Sequence, residues 1–108
     1  MGIPKDITEA MDSYPLFYQK VWKACANIPE GEVRTYKWIA SKIRRPKAHR
    51  AVGIALKMNP FAPIIPCHRV VKSGGFLGGY SAPGGPQTKW KLLKQEGVAL
   101  QGKKAILS

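Results

Sequence analysis

A cysteine and a histidine side by side, in the run Pro66-Cys67-His68-Arg69, are the residues of this chain best suited to covalent chemistry. A thiol attacks as its thiolate, and the surroundings favour that form, because from Val33 to Gln95 there is no Asp or Glu while Lys and Arg are frequent. Prolines at 63 and 66 predict a stiff, extended segment from Phe61 to Pro66 leading into Cys67. Adjacent side chains of an extended chain point to opposite faces, so His68 is expected to reach the sulfur through a bridging water and not directly. An imidazole used as a base needs a third group to orient it. Glu96 is the one carboxylate in the second half of the chain and takes that role.

The remaining cysteine, Cys25, falls on the apolar face of a helical pattern and reads as a core thiol. A zinc site from Cys25, His49, Cys67 and His68 is the alternative use of these side chains. It has no CxxC or HxxxH spacing and draws on unrelated elements, so no metal is expected. A cysteine hydrolase acting on acyl substrates is a further alternative, for which the sequence offers no oxyanion-hole signature.

The elements that must position these residues lie in a chain of 108 residues that is 44% hydrophobic, enough for one compact domain. Eighteen Lys and Arg against six Asp and Glu give a net charge of +12 and call for a polyanionic partner. Apolar runs fall far short of the ~20 residues of a membrane span, and Asp6 stands where a myristoylation signal needs Ser or Thr. Nucleic acid is therefore the expected polyanion, with no membrane association. Two cysteines make no disulfide framework, and no N-terminal run combines a basic start, an apolar stretch and a cleavage site. A reducing compartment is expected: the cytoplasm, beside the nucleoid, in a prokaryote, or the nucleus in a eukaryote.

Residues 1–14 read as a lightly anchored arm, with a short helix through Met11 capped by Asp6 and Glu9. Phe17, Val21, Trp22, Cys25 and Ile28 recur at helical spacing and predict a core helix that Pro29-Glu30-Gly31 ends. Thr35 is the expected N-cap of a second helix, with Trp38, Ile39 and Ile43 on one face, ending near Arg44-Arg45. Pro46 suits the first position of a third, running to about Met58 before Asn59-Pro60. Two short helices joined by a tight basic turn read as a helix-turn-helix, and the small residues Ala48, Ala51, Gly53 and Ala55 beside Lys47, Arg50 and Lys57 suit close approach to DNA. Val70-Val71 predict a short buried strand, the following glycines a mobile loop anchored only by Phe76, Leu77 and Tyr80, and Pro86 a last helix that Gly97 caps. Residues 98–108 read as a tail, leaving 15–97 as the functional domain. The expected class is mainly α with a short β component, a compact single domain with a helix-turn-helix, winged-helix-like DNA-binding unit.

Pro66-Cys67-His68-Arg69-Val70-Val71 resembles the active-site signature of the O6-alkylguanine-DNA alkyltransferases. Gly31-Glu32-Val33 with Thr35-Tyr36, Arg50-Ala51-Val52-Gly53, Asn59-Pro60, Gly79-Tyr80-Ser81 and Glu96-Gly97 follow in the order that family shows, from about Phe17 to Gly97. The likeness is to the family's C-terminal active-site domain; its usual N-terminal domain has no counterpart in these residues.

The resemblance implies that Cys67 accepts an alkyl group from O6-alkylguanine in double-stranded DNA and keeps it, one lesion per protein. It makes His68 the base through a water, Glu96 the group orienting His68, and Asn59 a support for the active-site turn. Arg50 would fill the gap left by a flipped nucleotide from the minor groove, and Tyr36 would press on the backbone and touch the guanine. Tyr36, Val70, Tyr80 and Ser81 make up the expected substrate pocket. Thr35, Lys37, Lys47, Ala48, Ala51 and Gly53 complete the expected DNA contacts. No cofactor is implied, because DNA is the donor and the protein the acceptor, and a monomer is expected. Some relatives with tryptophan at the acceptor position only bind lesions, so a non-catalytic DNA-binding module is the alternative from another class.

Overall fold

The structure is a computed structural model and describes residues 3–78, 80 and 84–106. Five helices dominate it: α1 (Lys5–Met11), α2 (Leu16–Ala26), α3 (Tyr36–Lys42), α4 (His49–Lys57) and α5 (Gly85–Gln95). Two pairs of two-residue strands complete it: β1 (Arg34–Thr35) with β2 (Val70–Val71), and β3 (Leu100–Gln101) with β4 (Lys104–Ala105). The architecture is mainly α with a short β component, and α3 and α4 form the helix-turn-helix.

α2 is the centre of the larger core. Its Val21, Trp22 and Cys25 are fully buried, and the Trp22 indole N–H donates to the Ala55 carbonyl at 2.8 Å, fixing α2 to α4. Tyr14 and Phe61 pack edge-on against the same indole, with ring centroids 5.0 and 5.7 Å away, an arrangement that aromatic quadrupoles favour. Burying Trp22 is worth roughly 3 kcal/mol from apolar area alone.

Residues 3–14 are anchored more firmly than an arm. α1 buries Ile7 and Met11 in this core, Met11 completely. The box of Asp6 and Glu9 does not form, because Pro4 is the N-cap and the helix starts at Lys5, which leaves Asp6 inside the first turn. The third helix also starts later than Pro46 suggested. The Ala48 N–H is taken by the Arg45 carbonyl at 2.9 Å, a separate turn that holds Pro46 and delays α4 to His49.

The start of α3 is as its sequence predicts: the Thr35 hydroxyl accepts from the Trp38 N–H at 3.0 Å. β1 runs parallel to β2 in the register Arg34 to Val70 and Thr35 to Val71. The strand that launches the helix-turn-helix therefore lies against the strand that follows Cys67.

The second, smaller core gathers Val33, Val71, Leu77, Leu93, Val98 and Ala105. Its last two members come from the segment expected as a tail, which folds into the β3–β4 hairpin, with Leu100 opposite Ala105. The hairpin also holds the glycine loop, since the Leu77 N–H donates to the Lys103 carbonyl at 3.1 Å. Gly75, at φ +94°, lies so close to this hairpin that a Cβ there would stand 2.1 Å from the Ala105 carbonyl oxygen. Phe76, expected as an anchor, is one through its backbone, which bridges to Lys104, while its side chain is 55% exposed. No helix among the described residues is long and apolar enough to cross a membrane.

Candidate active site

Asn59 shapes the approach to Cys67. Its side-chain oxygen accepts from the Phe61 N–H at 2.8 Å and its amide donates to the Ile65 carbonyl at 3.0 Å, so both ends of the segment close on one buried side chain. The Ile65 N–H reaches back to the Phe61 carbonyl at 3.1 Å. The prolines here stiffen a set of turns, not the extended strut their number suggested.

Cys67, His68 and Arg69 then occupy one 3₁₀ turn, with the Arg69 N–H on the Pro66 carbonyl at 2.9 Å. Three residues per turn spread consecutive side chains by about 120°, not the 180° of a strand. Cys67 is directed to a cleft and His68 is buried beside it. The cleft, about 410 Å³, is lined by Tyr36, Gly53, Leu56, Lys57, Cys67, Tyr80 and Pro86.

Behind the cysteine lies a line of charge-assisted hydrogen bonds. His68 Nε2 is 2.9 Å from Glu96 Oε2. Arg69 grips the same carboxylate with two bonds, Nε to Oε1 at 2.9 Å and Nη2 to Oε2 at 2.7 Å, and its Nη1 donates to the Ile28 carbonyl at 2.7 Å. Burial pushes the Glu96 carboxyl up, but the hydrogen bonds from Arg69 and His68 outweigh it and hold the group below its usual range. An ionised Glu96 makes Nε2 the protonated nitrogen of His68, which leaves a lone pair on Nδ1. That atom is buried and has no hydrogen-bond partner among the described residues.

Burial also pushes the His68 pKa down, against the pull of Glu96, so the ring is neutral at neutral pH. The thiol departs from the expectation of a favoured thiolate. Burial raises Cys67 above the ordinary cysteine value, and the hydrogen bond from Asn59 and the charge of Lys89 offset only part of that. A buried thiol of this kind must lose its proton as it reacts, and the Nδ1 lone pair is the base at hand. Cys25 is pushed up further by its complete burial, as an inert core thiol should be.

These directions fix a pH dependence. The acid limb of any reaction at Cys67 should lie below the ordinary histidine range, and the rate should keep rising past the ordinary cysteine value on the alkaline side. Stability has its own window: His68 and Glu96 both hold folded pKa values below their unfolded ones, so the unfolded chain binds more protons in acid and stability falls from about pH 6.5 down through the carboxylate range. Single-turnover rates and urea midpoints across pH measure both, and an acid limb at the free-imidazole value would contradict the assignment of Nδ1.

The structure brings Cys67, His68, Glu96 and Asn59 together and puts Tyr36 and Tyr80 on the cleft. Val70 is not on the cleft wall; its side chain is fully buried and its carbonyl accepts from Lys89. Ser81, like Gly79, lies outside the described residues. Arg50 and Ala51 are exposed on the first turn of α4, Gly53 faces the Tyr36 ring, and Lys37 and Lys47 are exposed on either side of the turn. The Thr35 hydroxyl is committed to its cap and Ala48 is the N-cap of α4. Among the described residues, no group of three or more His, Cys, Asp or Glu side chains could hold a metal ion.

Two residues of the site carried no sequence signal of their role. Arg69 clamps Glu96. Lys89 is 1% exposed, and its ammonium donates to the carbonyls of Val70, at 2.7 Å, and Leu77, tying β2 to the glycine loop. Burial lowers its pKa to about 8. Its spacing four before Leu93 marks the buried face of α5, a hint that a lysine at that position tends to hide.

A family model described as 6-O-methylguanine DNA methyltransferase, DNA binding domain, matches residues 16–98. A methylated-DNA–protein-cysteine methyltransferase of Methanosarcina barkeri is 55% identical over 80 residues, 74% of this chain and 49% of that protein. Its counterpart in Mycobacterium tuberculosis is 51% identical over 74% of this chain and 47% of its own length. Among solved structures, M. tuberculosis OGT in complex with DNA superposes with a TM-score of 0.74 at 49% identity, covering 78% of this chain and 51% of that one. S. pombe Atl1, in complex with damaged DNA containing O6-carboxymethylguanine, superposes with a TM-score of 0.72 at 34% identity, covering 85% and 88%. The chain thus spans about half the length of the curated relatives it matches. With the match running from α2 through the cysteine turn to Val98, the chain belongs to the 6-O-methylguanine DNA methyltransferase family, through its DNA-binding domain.

Proposed function

We propose that this domain repairs O6-alkylguanine in double-stranded DNA by moving the alkyl group to Cys67. The observation that carries the reading is a thiol facing a cleft with an aligned His68–Glu96–Arg69 chain behind it. The sulfur forms a bond to the alkyl carbon as the carbon–O6 bond breaks, the bonding pair goes to O6, and guanine leaves as its anion, which takes up a proton from solvent. The thiol proton passes through a water to His68 Nδ1. The product is a thioether that no group nearby can cleave, so each molecule acts once and needs no cofactor.

A guanine inside a duplex cannot reach this cleft, and extruding its nucleotide costs roughly a few kcal/mol. Arg50, exposed at the start of α4, fills the stack from the minor groove, and Tyr36 on the cleft wall guides the base. The helix-turn-helix binds as a monomer, with its basic face on the phosphates.

Incubation with a duplex containing O6-methylguanine is the test: the tryptic peptide holding Cys67 should gain one methyl, with a yield that stops at one per protein. A protein that binds the duplex and stays unmodified would support the second reading, lesion binding without transfer. That reading draws on the likeness to S. pombe Atl1 over most of both chains and on the raised pKa of the buried thiol.

A further inference from the structure

Arg44 is, among the described residues, the one non-glycine position in the left-handed region, at φ +62°. The end of α3 imposes that conformation. The Arg44 N–H donates to the Ser41 carbonyl at 3.0 Å and the Arg45 N–H to the Ala40 carbonyl at 2.8 Å, the paired bonds of a helix terminus that turns through a left-handed residue. Glycine takes this place without a Cβ clash; arginine does not.

Nothing in the described chain compensates. The Arg44 side chain is exposed and makes no hydrogen bond or ion pair among the described residues, and no carboxylate lies between Val33 and Gln95 to meet it. Nearby cations are provided for differently: Arg34 and Lys42 stack on the Trp38 ring, 5.4 and 5.8 Å from its centroid. Arg44 shares this exposed turn with Arg45 and Lys47, so a basic group carrying backbone strain stands on a basic corner. An anion from outside would meet the exposed guanidinium and offset, without removing, the strain that the helix terminus imposes on the backbone.

We infer that Arg44, held out at the turn between α3 and α4, is a phosphate-binding residue for the DNA backbone, retained where a glycine would fold better. The inference rests on the proposed DNA-binding function. It adds a contact that the flipping machinery does not include, and places it at the corner where the two helices of the motif meet. A fork-shaped guanidinium suits two oxygens of one phosphate.

The experiment pairs fluorescence anisotropy on a duplex, over a salt series, with urea denaturation of wild type, Arg44→Gly, Arg44→Ala and Arg44→Lys. Arg44→Gly should raise the folding equilibrium constant about two- to five-fold, the gain from relieved strain being trimmed by the freer unfolded chain. The same variant should bind DNA several-fold more weakly at low salt, with the log–log salt slope reduced by about 0.9, the loss of one phosphate contact. Arg44→Ala should show the same reduction in slope of about 0.9 without the stability gain, and Arg44→Lys should keep most of that increment. If Arg44→Gly becomes more stable with affinity and slope unchanged while wild type binds normally, the inference fails and the function stands. If wild type itself shows no salt-dependent affinity for DNA, the function fails and the inference with it.

Discussion

Cys67→Ser protein should take up no alkyl group from an O6-methylguanine duplex while still binding that duplex. The substitution replaces sulfur by a smaller oxygen in a site where burial already raises the thiol's pKa, and an alkoxide is far harder to form than a thiolate. His68 Nδ1 cannot bridge that gap, because a neutral imidazole is matched to a thiol and not to an aliphatic alcohol. The fold should hold, since Ser fits the volume and can still accept the Asn59 amide proton. Intact-protein mass spectrometry after a long incubation, with anisotropy on the same sample, reads both effects. A methylated serine variant, or methyl on Cys25 in the wild type, would remove Cys67 from the centre of the reaction.

Removing the carboxylate of Glu96 should damage stability and chemistry together. Glu96→Ala leaves Arg69 with two donors unmet and frees the His68 ring in a site where the three side chains are 2–15% exposed. Loss of one partner of a fully buried pair costs about 3–5 kcal/mol, and water reaching Arg69 should bring this one to about 2–3 kcal/mol. Glu96→Gln keeps a hydrogen-bond acceptor for His68 but loses the charge that Arg69 grips, so it should be milder in urea. In transfer, Glu96→Ala removes the acceptor that fixes the Nδ1 lone pair, and Glu96→Gln, whose amide can donate as well as accept, no longer enforces that tautomer, so the single-turnover rate should fall about 10²-fold. Wild-type rates in a folded Glu96→Gln protein would mean that His68 needs no orientation.

Much of this arrangement is visible in the residues themselves, for reasons that differ from place to place. The Thr35 cap, the periodicity of α2 and the Val70-Val71 strand are local signals, and local geometry follows them. Cys67, His68 and Glu96 stand out by chemical type in a stretch nearly free of carboxylates, although 28 residues separate the histidine from its partner. Other features depend on tertiary contacts that no window of sequence contains. The segment before Cys67 is closed by Asn59, a residue that on its own reads only as a helix stop. Lys89 is buried because two carbonyls wait for it. The hairpin after Gly97 has strands too short for a period-two pattern and is held by Phe76, Leu77 and Trp90 from elsewhere in the chain. The favoured thiolate expected from the basic surroundings fails because charge counted along a chain ignores the water lost on burial.

The parallel pairing of β1 and β2 has a mechanical consequence. α3 departs from the residue after β1, and β2 begins at the residue after the cysteine turn, so no flexible link lies between the helices that would grip a duplex and the sulfur. Pull on one is delivered to the other. If a duplex is gripped as proposed, a load on α3 should reach the cysteine turn through the two-residue pairing of β1 with β2, with few intervening residues to absorb it.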